Sequence, residues 1–140
     1  MPLHMLREAL EAGTTVEALA ARMGCTHETA KVHAVRLGYR RPPQIVGTKH
    51  ESILDLLATT EKPWLAHQEI MLVAAPHLRG LGGVSGFLAV AQKRGWIERS
   101  EDPVVPSRQR RSYLVRGYRI TPKGRDALAW SREGVLRREV

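Results

Sequence analysis

The stretch GWIERSEDPVVPSRQRRSYLVRGYRITPKG, residues 95–124, decides the fold of this chain. It holds two short runs of β-forming residues, 96–99 and 113–120, on either side of a loop rich in proline and arginine. The second run ends at Thr121-Pro122, which predicts the start of a helix, because Thr is a favoured N-cap and Pro suits the first helical position. The stretch therefore predicts a β-hairpin with a cationic tip, followed directly by a helix.

Positive charge is concentrated at this end of the chain. The net charge is +8 over 140 residues, and residues 108–140 hold ten Lys/Arg against three acids. Residues 1–41 hold six against four, and residues 42–107 hold six against seven. Such a local excess predicts a surface that contacts phosphates. A solubilising surface rich in Arg is the alternative.

Composition limits the class of protein. Hydrophobic residues make up 43% of the chain, enough for a packed core, and the low aromatic content of 5% favours helices over a β-sandwich. The single cysteine excludes an intramolecular disulfide. Because no run approaches the roughly 18 apolar residues of a membrane span and no apolar leader is present, we expect a cytoplasmic protein without membrane contact.

Three short helices are predicted before residue 40. They are Leu3–Ala12, Val16–Met23 and residues 27–37, separated by glycines, and threonine caps begin the second and third. The pair formed by the second and third resembles a helix-turn-helix, because a small residue is followed four positions later by glycine and then by an apolar residue. The residues that carry this resemblance are Ala20, Gly24 and Cys25, with Ala30, Ala34 and Leu37 on the apolar face of the later helix.

The resemblance implies that the helix at 27–37 lies in the major groove of DNA. Its polar side chains would contact bases, and Val32 would touch a thymine methyl group. A three-helix scaffold that binds no bases is the alternative. The candidate residues off the core face are His27, Glu28, Lys31, Val32, Val35 and Arg36.

A proline-containing linker is predicted at residues 40–47. Pro42-Pro43 favours an extended path. Arg40-Arg41 before it would follow a phosphate backbone or enter a minor groove. Equally, these arginines would stabilise the C-terminal end of the preceding helix.

A second domain is predicted over residues 48–140. Its third helix, at 84–94, has a core stripe of Val84, Leu88 and Ala91. The glycine run before it is not followed by the Lys-Ser/Thr of a nucleotide-binding loop. We therefore predict no nucleotide-binding site there. The predicted order is helix 50–59, turn 60–63, helix 65–75, glycine-rich connection 77–83, helix 84–94, hairpin and terminal helix 123–138.

This order resembles a winged helix of the MarR/PadR-like regulator kind over about residues 48–130. The matching pieces are 91–99 and 118–124. The fold expected is therefore mainly α with a small β-hairpin: a three-helix helix-turn-helix module at 1–39, then a winged-helix domain. Two departures, few base-reading side chains on helix 84–94 and a long proline-bearing wing, imply that this domain grips backbone or minor groove, or contacts protein. The base-reading candidates on that helix are Ser85, Gln92 and Lys93.

The terminal helix would form a homodimer by the same resemblance. Its candidate contact residues are Leu128, Trp130 and Val135. The alternative is packing against its own domain, and an exposed Trp130 would mark an interface.

No catalytic or metal site is expected. The six histidines and Cys25 lack the spacing of zinc ligands, and no nucleophile–base–acid arrangement stands out. We therefore expect a protein that is not an enzyme and uses no metal and no cofactor.

The sequence favours a regulator of transcription that binds double-stranded DNA. The resemblance to MarR/PadR-like regulators implies that it is a repressor. The helix-turn-helix would read bases and the wing would grip the backbone. The alternative is a winged-helix adaptor, of viral or plasmid origin, that binds RNA polymerase or a replication or packaging factor. The apolar helix around Gly86, Phe87 and Ala89 favours this alternative. The residues expected to neutralise phosphates are Lys93, Arg108, Arg110, Arg111 and Arg116.

Overall fold

Seven helices and five short strands are formed by the residues that the computed structural model describes, 1–74, 81–106 and 114–138. The described chain is mainly helical, with small antiparallel sheets. It divides into two compact units: unit 1 is Met1–Gln44 with Ala129–Val140, and unit 2 is Ile45–Leu128. No helix in the described part of the chain is long and apolar enough to cross a membrane.

Unit 1 begins with three helices at the predicted places. Helices α1 (Leu3–Ala12) and α2 (Val16–Met23) have the predicted bounds, and α3 (His27–Arg36) ends one residue earlier than predicted. Thr15 and Thr26 are N-caps, since each side chain accepts a hydrogen bond from the backbone N–H three residues later, at 3.1 and 3.3 Å.

The turn between α2 and α3 depends on Gly24. Its φ of +65° is in the left-handed region, where a side chain would be strained. Ala20, Ala30 and Ala34 are buried, so small side chains fill the contact between the two helices. Cys25, predicted to be a small buried hydrophobe, is half-buried against the same core.

The end of the chain returns to unit 1. Helix α7 (Pro122–Glu133) stops at Gly134, whose φ is +73°. Strand β5 (Arg137–Arg138) then pairs antiparallel with β1 (Tyr39–Arg40). The prediction of one helix over 123–138 is therefore wrong, because the left-handed glycine ends it.

Two further assignments differ from the predicted domain layout. Arg40, predicted as the first linker residue, lies in a strand, and Ile45, predicted within the linker, is fully buried in the core of unit 2. Residues 129–140, predicted with the second domain, belong to unit 1. Leu136 explains this, because it is buried in the unit 1 core and its N–H donates to the carbonyl of Thr14 at 2.7 Å.

Unit 2 is built from helices and a three-stranded antiparallel sheet in the order β2-β4-β3. Buried residues from α4, α5, α6, the sheet and the first part of α7 form its core, including Val84, Leu88 and Ala91 of the predicted stripe. The elements are α4 (Lys49–Thr59), β2 (Leu65–Ala66), α5 (His67–Ala74), α6 (Leu81–Lys93), β3 (Ile97–Pro106), β4 (Leu114–Ile120) and the beginning of α7.

Strand β2 replaces the first two residues of a predicted helix. Leu65 and Ala66 are both buried and pair with Tyr118 and Gly117 of β4. The carboxylate of Glu69 accepts the N–H of Ala66 at 3.3 Å, which satisfies a donor at the start of α5. The predicted start at residue 65 is therefore wrong by two residues.

The hairpin and the helix before it are longer than predicted. Strand β3 continues to Pro106 instead of ending at residue 99, and register shifts on either side of Pro103 accommodate the prolines. Helix α6 begins at Leu81, so the last glycines of the predicted connection are helical. The rest of that connection, and Arg108, Arg110 and Arg111, lie outside the described residues.

A compact junction joins the hairpin to α7. The hydroxyl of Thr121 donates to the carbonyl of Gly95 at 2.5 Å and accepts the N–H of Gly124 at 3.0 Å, which caps α7 as predicted. A Cβ at Gly124 would lie 2.0 Å from the carbonyl oxygen of Trp96. The helix can approach the strand this closely only with glycine at that position.

Candidate nucleic-acid interface

Helix α3 presents one face to the core and the other outward. The core face is small and fully buried, whereas the outward face mixes charged and apolar side chains. Val32 and Val35 on that face are 46% and 51% exposed, which is high for valine. Of the candidate contact residues, Lys31 is half-buried, and the exposed ones are His27, Glu28, Val32, Val35 and Arg36.

One concave surface brings together three of the predicted DNA-binding residues. Lys31, Arg40 and Arg41 line it, and its volume is about 330 Å³. We call it the Lys31 cleft. Strand β1 positions Arg40 beside the end of α3, and the chain then continues into the prolines. The remaining lining residues are Val35, Pro42 and Gln44.

A second concave surface in unit 1 contains two arginines that the sequence analysis missed. We call it the Arg138 cleft; its volume is about 380 Å³, and it is lined by Arg7, Glu11, Arg36, Leu37, Tyr39 and Arg138. Arg36 was predicted, whereas Arg7 and Arg138 were not. Arg138 reaches this place because β5 pairs with β1, a contact between distant parts of the sequence that no local pattern signals.

The predicted site residues of unit 2 are more dispersed. Ser85 and Lys93 are exposed on α6, and Arg116 is exposed on β4. The Ser85 hydroxyl lies 3.1 Å from Nε2 of His67, so a neighbouring helix already contacts it.

The base of the hairpin is acidic as well as basic. A concave surface of about 400 Å³ is lined there by three carboxylates, two arginines, Trp64 and Ser100. The guanidinium of Arg119 lies 4.3 Å above the Trp64 ring and forms an ion pair with Glu98. The cationic character that the sequence predicts for the hairpin tip therefore does not extend to its base. The carboxylates are Glu98, Glu101 and Asp102.

An ion pair at the start of α5 has a structural role. Lys62 Nζ lies 2.5 Å from the carboxylate of Glu69, which also accepts the N–H of Ala66. The hydrogen bond from Lys62 is the main cause that lowers the pKa of Glu69 below its ordinary value. The Glu69 carboxylate thus links Lys62 to the junction between strand β2 and α5.

No group of three His, Cys, Asp or Glu side chains that could hold a metal ion occurs in the described ranges. Cys25 is a free thiol, half-buried in unit 1.

The three residues predicted for a homodimer make contacts within their own chain. Leu128 is buried in the unit 2 core. Trp130 is half-buried in unit 1, and its Nε1 donates to the carbonyl of Val135 at 2.5 Å. The guanidinium of Arg137 lies 5.1 Å from the Trp130 ring centroid. The contacts of Trp130 and Val135 lie within unit 1, and the homodimer stays a prediction.

Comparisons of the chain with family models, with curated proteins and with solved structures gave no match.

Proposed function

We propose that this protein is a regulator of transcription that binds double-stranded DNA through unit 1. Helix α3 lies in the major groove and contacts bases, and the arginines beside it contact the backbone. Unit 2 is a winged-helix domain that adds backbone contacts through its hairpin. Repression is the expected effect, because the resemblance to MarR/PadR-like regulators implies it.

The observation that carries this proposal is the Lys31 cleft beside the exposed face of α3. Lysine and arginine from two separate elements converge there on one side of a helix whose outward residues are exposed. A major groove about 12 Å wide admits such a helix, and its walls are phosphates. Arg40 and Arg41 would meet those phosphates while Lys31 reaches a base.

The exposed valines of α3 also suit a groove. Val32 and Val35 would be poorly placed in water, but the C5-methyl group of thymine is an apolar contact available in the major groove. Lys31 would donate to guanine O6 and N7. Because α3 carries both kinds of side chain, it favours binding to a specific DNA sequence over binding to the phosphate backbone alone.

The role of unit 2 is supported by its order of elements. Three helices, a hairpin and a further helix follow one another, and the Thr121–Gly124 junction locks the hairpin to that helix. Arg108, Arg110 and Arg111 belong to the predicted tip, and Arg116 is exposed on β4. These residues would bind phosphates without reading sequence.

The test is binding to a random DNA duplex by fluorescence anisotropy at several salt concentrations. If about six phosphates are contacted, the logarithm of affinity falls with the logarithm of salt concentration at a slope near −5. Selection of bound sequences then identifies the cognate site. Absence of binding at about 50 mM salt would sink the proposal, because a surface this basic gives at least nonspecific affinity.

A second candidate function is an adaptor that binds another protein through α6. The exposed side of that helix carries small and apolar residues, with Val90 48% exposed. Phe87, which the sequence analysis placed on this surface, is buried in the core and cannot contribute. Binding of purified RNA polymerase by the wild type but not by Val90→Glu, with no binding to DNA, would favour the adaptor. The other exposed residues of this side are Gly86 and Ala89.

A further inference from the structure

The Arg138 cleft is built by three separate parts of the chain. Arg7 comes from α1, Arg36 from the last turn of α3 and Arg138 from strand β5. The residues that line the cleft carry three guanidinium groups and one carboxylate, that of Glu11, and its volume is about 380 Å³. A cleft with this excess of arginine fits an anion, and the planar guanidinium matches the oxygens of a phosphate group.

The two basic clefts lie on different faces of α3. Lys31 and Val35 line the Lys31 cleft and are four residues apart, so they share a face. Arg36 lines the Arg138 cleft, and each residue turns a helix by about 100°. The outward face of α3 is therefore flanked by positive charge on more than one side, as a helix between two phosphate backbones requires.

The C-terminal tail, residues 134–138, makes contacts that position Arg138 in the cleft. Gly134 ends α7, Leu136 enters the unit 1 core, and β5 pairs with β1 in the register Tyr39–Arg138 and Arg40–Arg137. Arg137 is fixed by Glu133 at 3.3 Å and by the Trp130 ring. The tail is thus part of the unit that carries α3.

We infer that the Arg138 cleft binds a backbone phosphate of the same DNA duplex whose groove receives α3. This inference rests on the proposed function and adds Arg7 and Arg138 to the interface. Glu11, one helical turn from Arg7, reduces the positive potential of the cleft and limits its affinity for phosphate. DNA binding by unit 1 therefore depends on Arg138 as well as on α3.

The experiment measures binding of a random duplex by anisotropy across a salt series. The variants are Arg7→Ala, Arg138→Ala and their combination, with Arg22→Ala as the matched control. Arg22 is exposed at the end of α2 and lines neither cleft. A phosphate contact releases about 0.9 counterion, so the one contact in the Arg138 cleft contributes about eightfold in affinity at roughly 0.1 M salt. The combined variant should lose about eightfold, and its salt slope should be shallower by about one.

A further variant moves affinity in the opposite direction. Glu11→Gln removes the negative charge and should raise affinity severalfold in the same assay, which loss of folding cannot imitate. Thermal melts check that Arg7→Ala and Arg138→Ala stay folded.

The outcomes separate this inference from the proposed function. Wild type that fails to bind any duplex overturns both. Wild type that binds, with the combined variant equal to Arg22→Ala and Glu11→Gln unchanged, overturns the Arg138 cleft alone. Losses in the combined variant together with a gain in Glu11→Gln establish it.

Discussion

Two of the antiparallel strand pairings in the described residues are built in opposite ways. The hairpin of unit 2 joins β3 and β4, which are neighbours in the sequence, and a helix cap fixes it at its base. The ribbon of unit 1 joins β1 and β5, which come from distant parts of the chain, and Leu136 fixes it in the core. The hairpin base mixes acids with arginines, whereas the ribbon places arginines in two concave surfaces. Among the described residues, the concave surfaces beside the ribbon are therefore more basic than the one at the hairpin base.

The largest effect expected is from a methyl group at the hairpin junction. In Gly124→Ala the new Cβ would lie 2.0 Å from a backbone oxygen that cannot move without the strand, so unit 2 should lose about 4 kcal/mol. Hydrogen exchange of the backbone amides, resolved by peptide, should be faster throughout unit 2 in this variant. Gly86→Ala is the control: it meets open space on a helix and should stabilise by about 0.5–1 kcal/mol. Equal stability of the two variants would contradict the close junction.

The ribbon of unit 1 is tested by Leu136→Ala. Leu136 is 3% exposed, and removing such a side chain from a core costs about 3 kcal/mol. Amide exchange should rise in α1, α2 and the tail, while unit 2 stays protected. Leu72→Ala, at a residue 81% exposed in unit 2, should change stability by less than about 0.5 kcal/mol. An unchanged free energy of unfolding in Leu136→Ala would mean that the tail does not stabilise unit 1.

A smaller effect is expected at the edge of the hairpin sheet. Arg119→Met removes both the contact with Trp64 and the ion pair with Glu98, and should cost about 1 kcal/mol in denaturant unfolding. Glu98→Gln keeps the contact with the ring and should cost less than about 0.5 kcal/mol, because both charges are half-exposed. If the two variants cost the same, the ion pair and not the ring holds Arg119.

The smallest effect depends on pH. The pKa of Glu69 is lowered in the folded state, so its contribution to stability is complete above the unfolded value and is lost as pH falls through the folded value. Wild type should lose up to about 1 kcal/mol relative to Glu69→Gln between roughly pH 5 and pH 3, since Lys62 is exposed. Urea unfolding across that range measures the difference. Parallel curves for the two proteins would show that Lys62 does not stabilise the carboxylate.

The fold could be predicted where local chemistry decides it. Gly13 ends α1, and Thr15 and Gly24 bound α2, so the sequence predicts both helices with their observed bounds. The predicted helix 123–138 runs through Gly134, and only the tertiary contacts of Leu136 show why the chain turns there. Leu65 and Ala66 suit a helix by propensity, and their partners on β4 are about fifty residues away.

The candidate site, like the fold, could be predicted only where its residues are close in the sequence. Lys31, Arg40 and Arg41 are close in sequence and meet in one cleft. Arg7 and Arg138 are separated by almost the whole chain, and only the pairing of β5 with β1 brings them together.

Base reading by α3 is tested by the Lys31→Ala variant. The measurement is the ratio of affinities for the selected duplex and for a random duplex. A bidentate contact from Lys31 to a base predicts a loss of about 1–3 kcal/mol on the selected duplex and almost none on the random one. The Arg108→Ala/Arg110→Ala/Arg111→Ala variant should weaken both duplexes equally. An unchanged ratio in Lys31→Ala, or a ratio that collapses only in the triple variant, would contradict the assignment of base reading to α3.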